Sequence, residues 1–96
     1  MIKPSIGRVV WYIPSTNDLN SFASSRMVQH DPAQPFKADV VFVWSDTCVN
    51  LEVVDHAGGR HVRTSVPINQ EGFTPRAEWM PYQAGQAKKH DAAPAA

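Results

Sequence analysis

The sequence predicts a mainly β fold, either a small antiparallel curled sheet or an SH3-like barrel of about five strands. Short runs of valine and aromatic residues recur along the chain, as is typical of strands. Eight prolines and five glycines separate these runs. A chain of 96 residues forms one domain with a thin core. We therefore expect a single β domain over residues 1–83, with a long polar loop at 14–37, and a flexible tail over 84–96.

The first strand is expected at Ile6–Ile13, which is rich in β-branched and aromatic residues. The connection that follows it, 14–37, is polar, and so long a loop in a compact domain is usually functional. It has the pattern of a short helix, with Ser15 as the cap and Asp18 in the first turn. Three residues have the spacing of one helix face: Leu19, Phe22 and Arg26.

A three-stranded antiparallel meander is predicted over Asp39–Ile68. Its strands are Asp39–Trp44, Cys48–Asp55 and Arg60–Ile68. Aspartate and serine favour the first turn because their side chains bond nearby backbone groups. Gly58 and Gly59 supply the positive φ that the second turn needs. A short fifth strand is expected near Glu78–Met80, where the following proline restricts it to a sheet edge.

The alternation of residue types predicts which strand faces are buried. In the third strand Val49, Leu51 and Val53 fall on one face, and Cys48, Asn50 and Glu52 fall on the other. In the fourth strand we expect Val62 and Val66 to share one face and His61 and Arg63 to share the other.

The first and second strands are apolar on both faces. Strands of this kind are covered on both sides, and a small domain with few helices can hardly cover both. Either the sheet curls into a closed barrel with an added layer, or a second copy packs against it, and we expect a homo-oligomer. The formal net charge of zero also favours self-association.

Charge and cysteine content restrict the partners and the compartment. Nine Lys and Arg balance nine Asp and Glu. Nucleic-acid polymers and anionic membranes select for excess positive charge, so neither is expected as a partner. Cys48 is the single cysteine, and no apolar run is long enough for a signal peptide or a membrane span. A soluble protein in a reducing compartment is expected.

The residue types of a metal or catalytic site are present, but not the spacing of one. The candidate metal ligands are His30, His56, His61, His90 and Cys48. A structural zinc site needs four ligands with close pair spacing, so no metal and no cofactor is predicted. Cys48, Asp46 and either His56 or His61 could form a catalytic set, but a nucleophilic thiol needs a held base or a helix N-terminus. The sequence indicates neither, and we expect no enzyme.

The aromatic residues are the strongest indication of a binding site. Three tryptophans are many for this length, and tryptophan, tyrosine and arginine are enriched in binding hot spots. Aromatic faces can stack on a base while arginines hold phosphate. The alternative is that the tryptophans fill a thin core. The predicted ligand-binding residues are Trp44, Trp79 and Tyr82 for stacking, Arg63 and Arg8 for phosphate, and Asp46 or Thr64 for base or ribose edges.

Four blocks of sequence resemble a group of small uncharacterised proteins encoded by bacteriophages and prophages. The blocks are GRVVWY at 7–12, VWSD at 43–46 with VNL at 49–51, TSVP at 64–67, and WMPYQ at 79–83 with GQA at 85–87. The resemblance covers most of residues 1–88, and the connection 14–37 is longer than is expected for the group. It implies a phage accessory protein in the cytoplasm of a bacterial host, and it assigns no catalytic residues.

Two kinds of function are compatible with these features. The first is a non-enzymatic phage protein that blunts host defence by sequestering a nucleotide-type immune signal at a subunit interface. The second uses the same aromatic residues on a protein partner, either as a structural or assembly adaptor of the virion or as a direct binder of a host protein.

Overall fold

Five antiparallel strands form one curled sheet, which confirms the predicted mainly β fold. The computed structural model describes residues 2–20, 27–28 and 33–92. The sheet order is β4-β3-β2-β1-β5, and its curl brings the edge strands β4 and β5 towards each other as a half-barrel. The elements are β1 (Val9–Ile13), α1 (Thr16–Asn20), β2 (Phe36–Ser45), β3 (Cys48–Val54), β4 (Arg60–Pro67), β5 (Arg76–Glu78) and α2 (Pro81–Ala92).

The predicted meander is formed by β2, β3 and β4, and it contains three β-bulges. Two lie in β2, because the register against β3 shifts between Val40 and Phe42 and again between Val43 and Ser45. The third lies in β4, where Val66 pairs with Val49 but Arg63 pairs with Leu51. Each bulge adds one residue to its strand and increases the local bend of the sheet.

The bulge in β4 shows that the predicted faces of this strand are wrong. Val62 is 66% exposed whereas Val66 is 2% exposed, so the two valines do not share a face. The extra residue at Thr64–Ser65 reverses the alternation beyond it, and Ser65 has the left-handed φ of 53°. His61 is therefore on the same side of the sheet as Val66.

The core lies on one side of the sheet, which we call the inner face. Leu51 of β3 is fully buried there, as predicted, and Met27 from the connection between β1 and β2 joins it. The buried apolar residues of the five strands are Val10, Tyr12, Phe36, Ala38, Val40, Val49, Leu51, Val53, Val66 and Ala77.

The opposite side, the outer face, is only partly covered within one chain. Val9, Trp11 and Ile13 of β1 are half-buried on this face. Phe42 is 44% and Trp44 is 61% exposed, so the described residues cover this end of β2 only in part.

Side-chain hydrogen bonds in the first turn of each helix fix where that helix begins. In α1, Asp18 N donates to Ser15 Oγ over 3.2 Å, which confirms Ser15 as the cap, and Ser15 N donates to Asp18 Oδ2 over 2.9 Å, which completes a reciprocal pair. This helix ends at Asn20, and the expected face residues Phe22 and Arg26 lie outside the described residues.

The second helix occupies most of the segment for which the sequence predicted a flexible tail. It begins at Pro81, a residue suited to the first helical position, and Met80 N donates to Gln83 Oε1 over 2.8 Å. Alanines then favour the helix as far as Ala92. Residues 93–96 lie outside the described part of the chain.

Candidate functional site

Asn50 holds Trp44 against the bulge of β4. Its Oδ1 accepts from Trp44 Nε1 over 2.9 Å and from Ser65 N over 2.8 Å. The ring of Phe42 lies edge-on to Trp44, with 4.7 Å between centroids. Trp44 is therefore fixed in place yet largely exposed, which argues against the alternative that it fills the core. Thr64, another predicted site residue, is exposed in the same bulge.

A second asparagine, Asn69, gathers three of the predicted site residues. Its Nδ2 donates to the main-chain oxygens of Ile2 over 2.8 Å and Asp46 over 3.0 Å, and its Oδ1 accepts from Trp79 Nε1 over 2.9 Å. The guanidinium of Arg8 lies 5.6 Å from the centroid of the Trp79 ring, within the range of a cation–π contact. Arg8, Asp46 and Trp79 thus lie around one residue that the sequence analysis missed.

An open groove of about 660 Å³ lies beside Trp79. It separates β5 from the segment that follows β4. Its lining residues are Asn69, Gln70, Glu71, Gly72, Arg76, Ala77, Glu78 and Trp79. Arg76 and Glu78 pair with each other over 2.7 Å, and Arg76 Nη1 also donates to the main-chain oxygen of Phe73 over 3.1 Å. The groove is a concave surface lined by an indole and by charged side chains.

Two predicted site residues lie elsewhere. Arg63 lies on the inner face, where its Nε donates to Asp18 Oδ1 over 2.8 Å. Tyr82 is 76% exposed on α2. No hydrogen bond or ring contact among the described residues joins either of them to Trp44 or Trp79. The predicted set is therefore spread over separate parts of the surface rather than forming one site.

The carboxylate of Asp18 joins α1 to the sheet. It accepts from Tyr12 Oη over 2.6 Å, from Ser15 N and from Arg63 Nε. Burial alone would raise the pKa of Asp18, but these hydrogen bonds outweigh burial and lower it. Burial and the neighbouring carboxylate together raise the pKa of Tyr12 far above its usual value.

A second buried carboxylate, Asp55, organises the turn between β3 and β4. His61 Nε2 lies 2.9 Å from Asp55 Oδ2, and Val28 N donates to the same oxygen over 3.3 Å. The amides of Ala57 and Gly59 donate to Asp55 Oδ1 over 3.0 and 2.8 Å. Burial alone would raise the pKa of Asp55, but these hydrogen bonds, with that from His61 the largest, lower it.

The Asp55 network predicts opposite effects for two glycine substitutions. A Cβ on Gly59 would lie 2.7 Å from Asp55 Oδ2, whereas a Cβ on Gly85 of α2 would meet nothing within 4 Å. Because hydrogen bonds hold Asp55 in place, we expect Gly59→Ala to cost about 1–3 kcal/mol of unfolding free energy. Gly85→Ala should add about 0.5–1 kcal/mol, because alanine favours a helix interior. Urea denaturation measures both, and equal effects from the two variants would contradict the packing described.

The residues of the catalytic set that the sequence analysis considered lie apart in the structure. Cys48 pairs with Pro67 at one end of β3, whereas His61 pairs with Val53 near the other end. His56 is exposed at the turn. In the described ranges, no three His, Cys, Asp or Glu side chains are grouped so that they could hold a metal ion. Of the helices described, none has the length and apolar character needed to cross a membrane.

Arg63 and His61 of β4 each pair with a buried carboxylate on the inner face. Asp18 links α1 to Arg63 of β4, and Asp55 links Val28 to His61 of the same strand. Both links attach the connection between β1 and β2 to the inner face.

No protein-family model, curated protein or solved structure matches this chain.

Proposed function

We propose that this protein is a non-enzymatic binding protein whose groove beside Trp79 takes a small, flat ligand that carries hydrogen-bond donors or a positive charge. The observation that carries the proposal is the groove of about 660 Å³ with an indole at its wall and an excess of acceptors around it. Small-molecule sites have volumes of about 300–1,000 Å³.

The charges of the groove favour such a ligand. Its lining contains one arginine and two glutamates. Arg76 is already paired with Glu78, while Glu71 is exposed and accepts from no group among the described residues. The side-chain nitrogen of Gln70 donates to Thr47 O over 3.0 Å, which leaves its amide oxygen as an acceptor. A ligand that donates hydrogen bonds would find acceptors in the carboxylate of Glu71 and the amide oxygen of Gln70. An anion would be repelled by Glu71 and Glu78.

The same charges bear on the nucleotide-type ligand that the sequence suggested. Each arginine among the described residues has a partner: Arg8 the Trp79 ring, Arg60 Glu52, Arg63 Asp18, and Arg76 Glu78. Of these four, Arg8 has the uncharged partner, so a nucleotide with its base against Trp79 would direct its phosphates away from the groove towards Arg8. Sequestration of a host signal by a phage protein would be one biological form of this binding.

A thermal-shift titration tests the proposal. The probes are agmatine, whose guanidinium is flat and cationic, adenosine, AMP and cyclic di-AMP. We expect agmatine and adenosine to raise Tm more than the two phosphorylated probes. A ligand at 100 times its Kd adds about 2.7 kcal/mol, which corresponds to a shift on the order of 10 °C in a domain of this size.

A pair of matched variants locates the effect. Glu71→Gln removes a carboxylate from the groove and should raise the Kd for agmatine about 2- to 5-fold. Glu52→Gln removes a carboxylate from the outer face and should leave that Kd unchanged. The absence of any shift with agmatine and adenosine would refute the proposal. A shift with cyclic di-AMP alone would favour the nucleotide-signal hypothesis instead.

A further inference from the structure

An uncovered apolar patch lies on the outer face, away from the groove. We define it by Phe42 and Trp44 of β2 and Val62 of β4. Phe42 is the register partner of Asn50, and Val62 is the register partner of Glu52, two positions along the same face of β3. Trp44 reaches that face through its hydrogen bond to Asn50. The three side chains are 44%, 61% and 66% exposed, in that order.

The patch is held in one arrangement by the sheet. Asn50 fixes the indole of Trp44 and the backbone of Ser65 with a single oxygen, and Phe42 packs edge-on against the indole. A bulged residue with positive φ, Ser65, is maintained beside it. Rigid aromatic side chains lose little conformational entropy when they are buried by a partner. This arrangement distinguishes the patch from isolated apolar residues on a surface.

Two oppositely charged pairs lie on the same face of the sheet as the patch. Arg60 pairs with Glu52 over 3.0 Å, and Lys37 lies 3.9 Å from Asp39. These four residues belong to the outer face, because Lys37 and Arg60 are both register partners of Val54, and Asp39 and Val62 are both register partners of Glu52. A partner of uniform charge would meet repulsion from one sign here. A second copy of the same face offers an anion for each cation and a cation for each anion.

We infer that the apolar patch is the contact surface of a symmetric homodimer, in which the outer faces of two sheets pack on each other. The two copies bury Phe42, Trp44 and Val62 against the equivalent residues, and the Arg60–Glu52 pairs border the contact. This packing supplies the second cover that β2 lacks, since stacked sheets fill the space between them with side chains from both. A net charge of zero removes long-range repulsion between the copies.

Sedimentation velocity over a wide concentration range tests the inference. The wild-type chain should show a concentration-dependent dimer. Val62→Lys should raise the dimer Kd about tenfold or more, because each dimer would bury two unpaired ammonium groups. Val62 is mostly exposed, so this variant should keep its fold, which circular dichroism checks. Trp44→Ser provides a second disruption of the same patch by loss of contact area.

The matched control is Val28→Lys, the same change at a residue that is 42% exposed beside the Asp55 network. This control should dimerise like the wild type. A wild-type chain that stays monomeric at every concentration would overturn the inference, as would a dimer that Val62→Lys and Trp44→Ser leave intact. Both results are independent of the agmatine titration, since the groove and the patch share no residue.

Discussion

Asp55→Ala is expected to lower the unfolding free energy by about 3–5 kcal/mol. The substitution removes a buried carboxylate and leaves the His61 ring and the amides of Val28, Ala57 and Gly59 without their acceptor. A domain of this length is stable by about 5–15 kcal/mol, so one side chain would account for much of that stability. Urea denaturation, with the midpoint and slope fitted separately, measures the loss.

Two further variants make the Asp55 prediction specific. Asp46→Ala removes an exposed carboxylate in the turn between β2 and β3, and it should change stability by no more than about 0.5 kcal/mol. Asp55→Asn keeps one acceptor oxygen and loses the charge, so its loss of unfolding free energy should lie between those of Asp55→Ala and Asp46→Ala. If Asp55→Ala costs less than about 1 kcal/mol, the network does not hold the turn and the connection as described.

The strands and the helix cap could be predicted because their causes are local. Valine and aromatic residues favour extended backbone wherever they occur together, and Ser15 and Asp18 cap α1 from three residues apart. The turn before β4 is equally local, since Asp55 bonds two amides within the next four residues.

The bulges could not be predicted, and with them the faces of β4. The bulge in β4 has no glycine to mark it in the sequence, because the residue with positive φ is Ser65. One extra residue reverses the alternation, so Val62 faces solvent while His61 is buried. The same displacement places Arg63 on the inner face, where it donates to Asp18. The sequence pattern instead predicts that Arg63 binds a ligand.

The site residues that were missed act over long sequence separations. Asn69 joins Ile2, Asp46 and Trp79, and Arg63 reaches Asp18 across 45 positions of the chain. Such pairs depend on strand register, which a single sequence does not specify. An asparagine that follows a strand is also common in turns, so Asn69 had no distinguishing signal.

The charged groups of the inner face differ from those of the outer face in their burial and in their hydrogen bonding. On the inner face, Asp18 and Asp55 are buried, fully hydrogen bonded and coupled to Arg63 and His61. On the outer face the cations of the charged pairs are exposed and the anions are partly exposed, so these pairs contribute little stability on their own. We therefore expect substitutions of inner-face charges to change folding and substitutions of outer-face charges to change association.

Acidification is expected to destabilise the protein as the pH falls below about 4. The pKa values of Asp18 and Asp55 are lower in the folded chain than the usual value of about 3.9. Above that value the carboxylates are ionised in both states, and the full stabilisation is present. As the pH falls towards the folded-state pKa, the unfolded chain takes up protons first, so the unfolding free energy decreases. Tm measured from neutral to acidic pH follows this loss.

Neutral variants of the two buried carboxylates separate this cause from general acid unfolding. Asp18→Asn and Asp55→Asn should each start from a lower Tm at neutral pH and decline less steeply on acidification, because one linked proton is removed. Asp39→Asn, which neutralises a partly exposed carboxylate of the outer face, should keep the wild-type slope. If the three variants share that slope, protonation of other groups governs acid unfolding. If only the variants of the two buried sites flatten the slope, protonation of Asp18 and Asp55 governs acid unfolding.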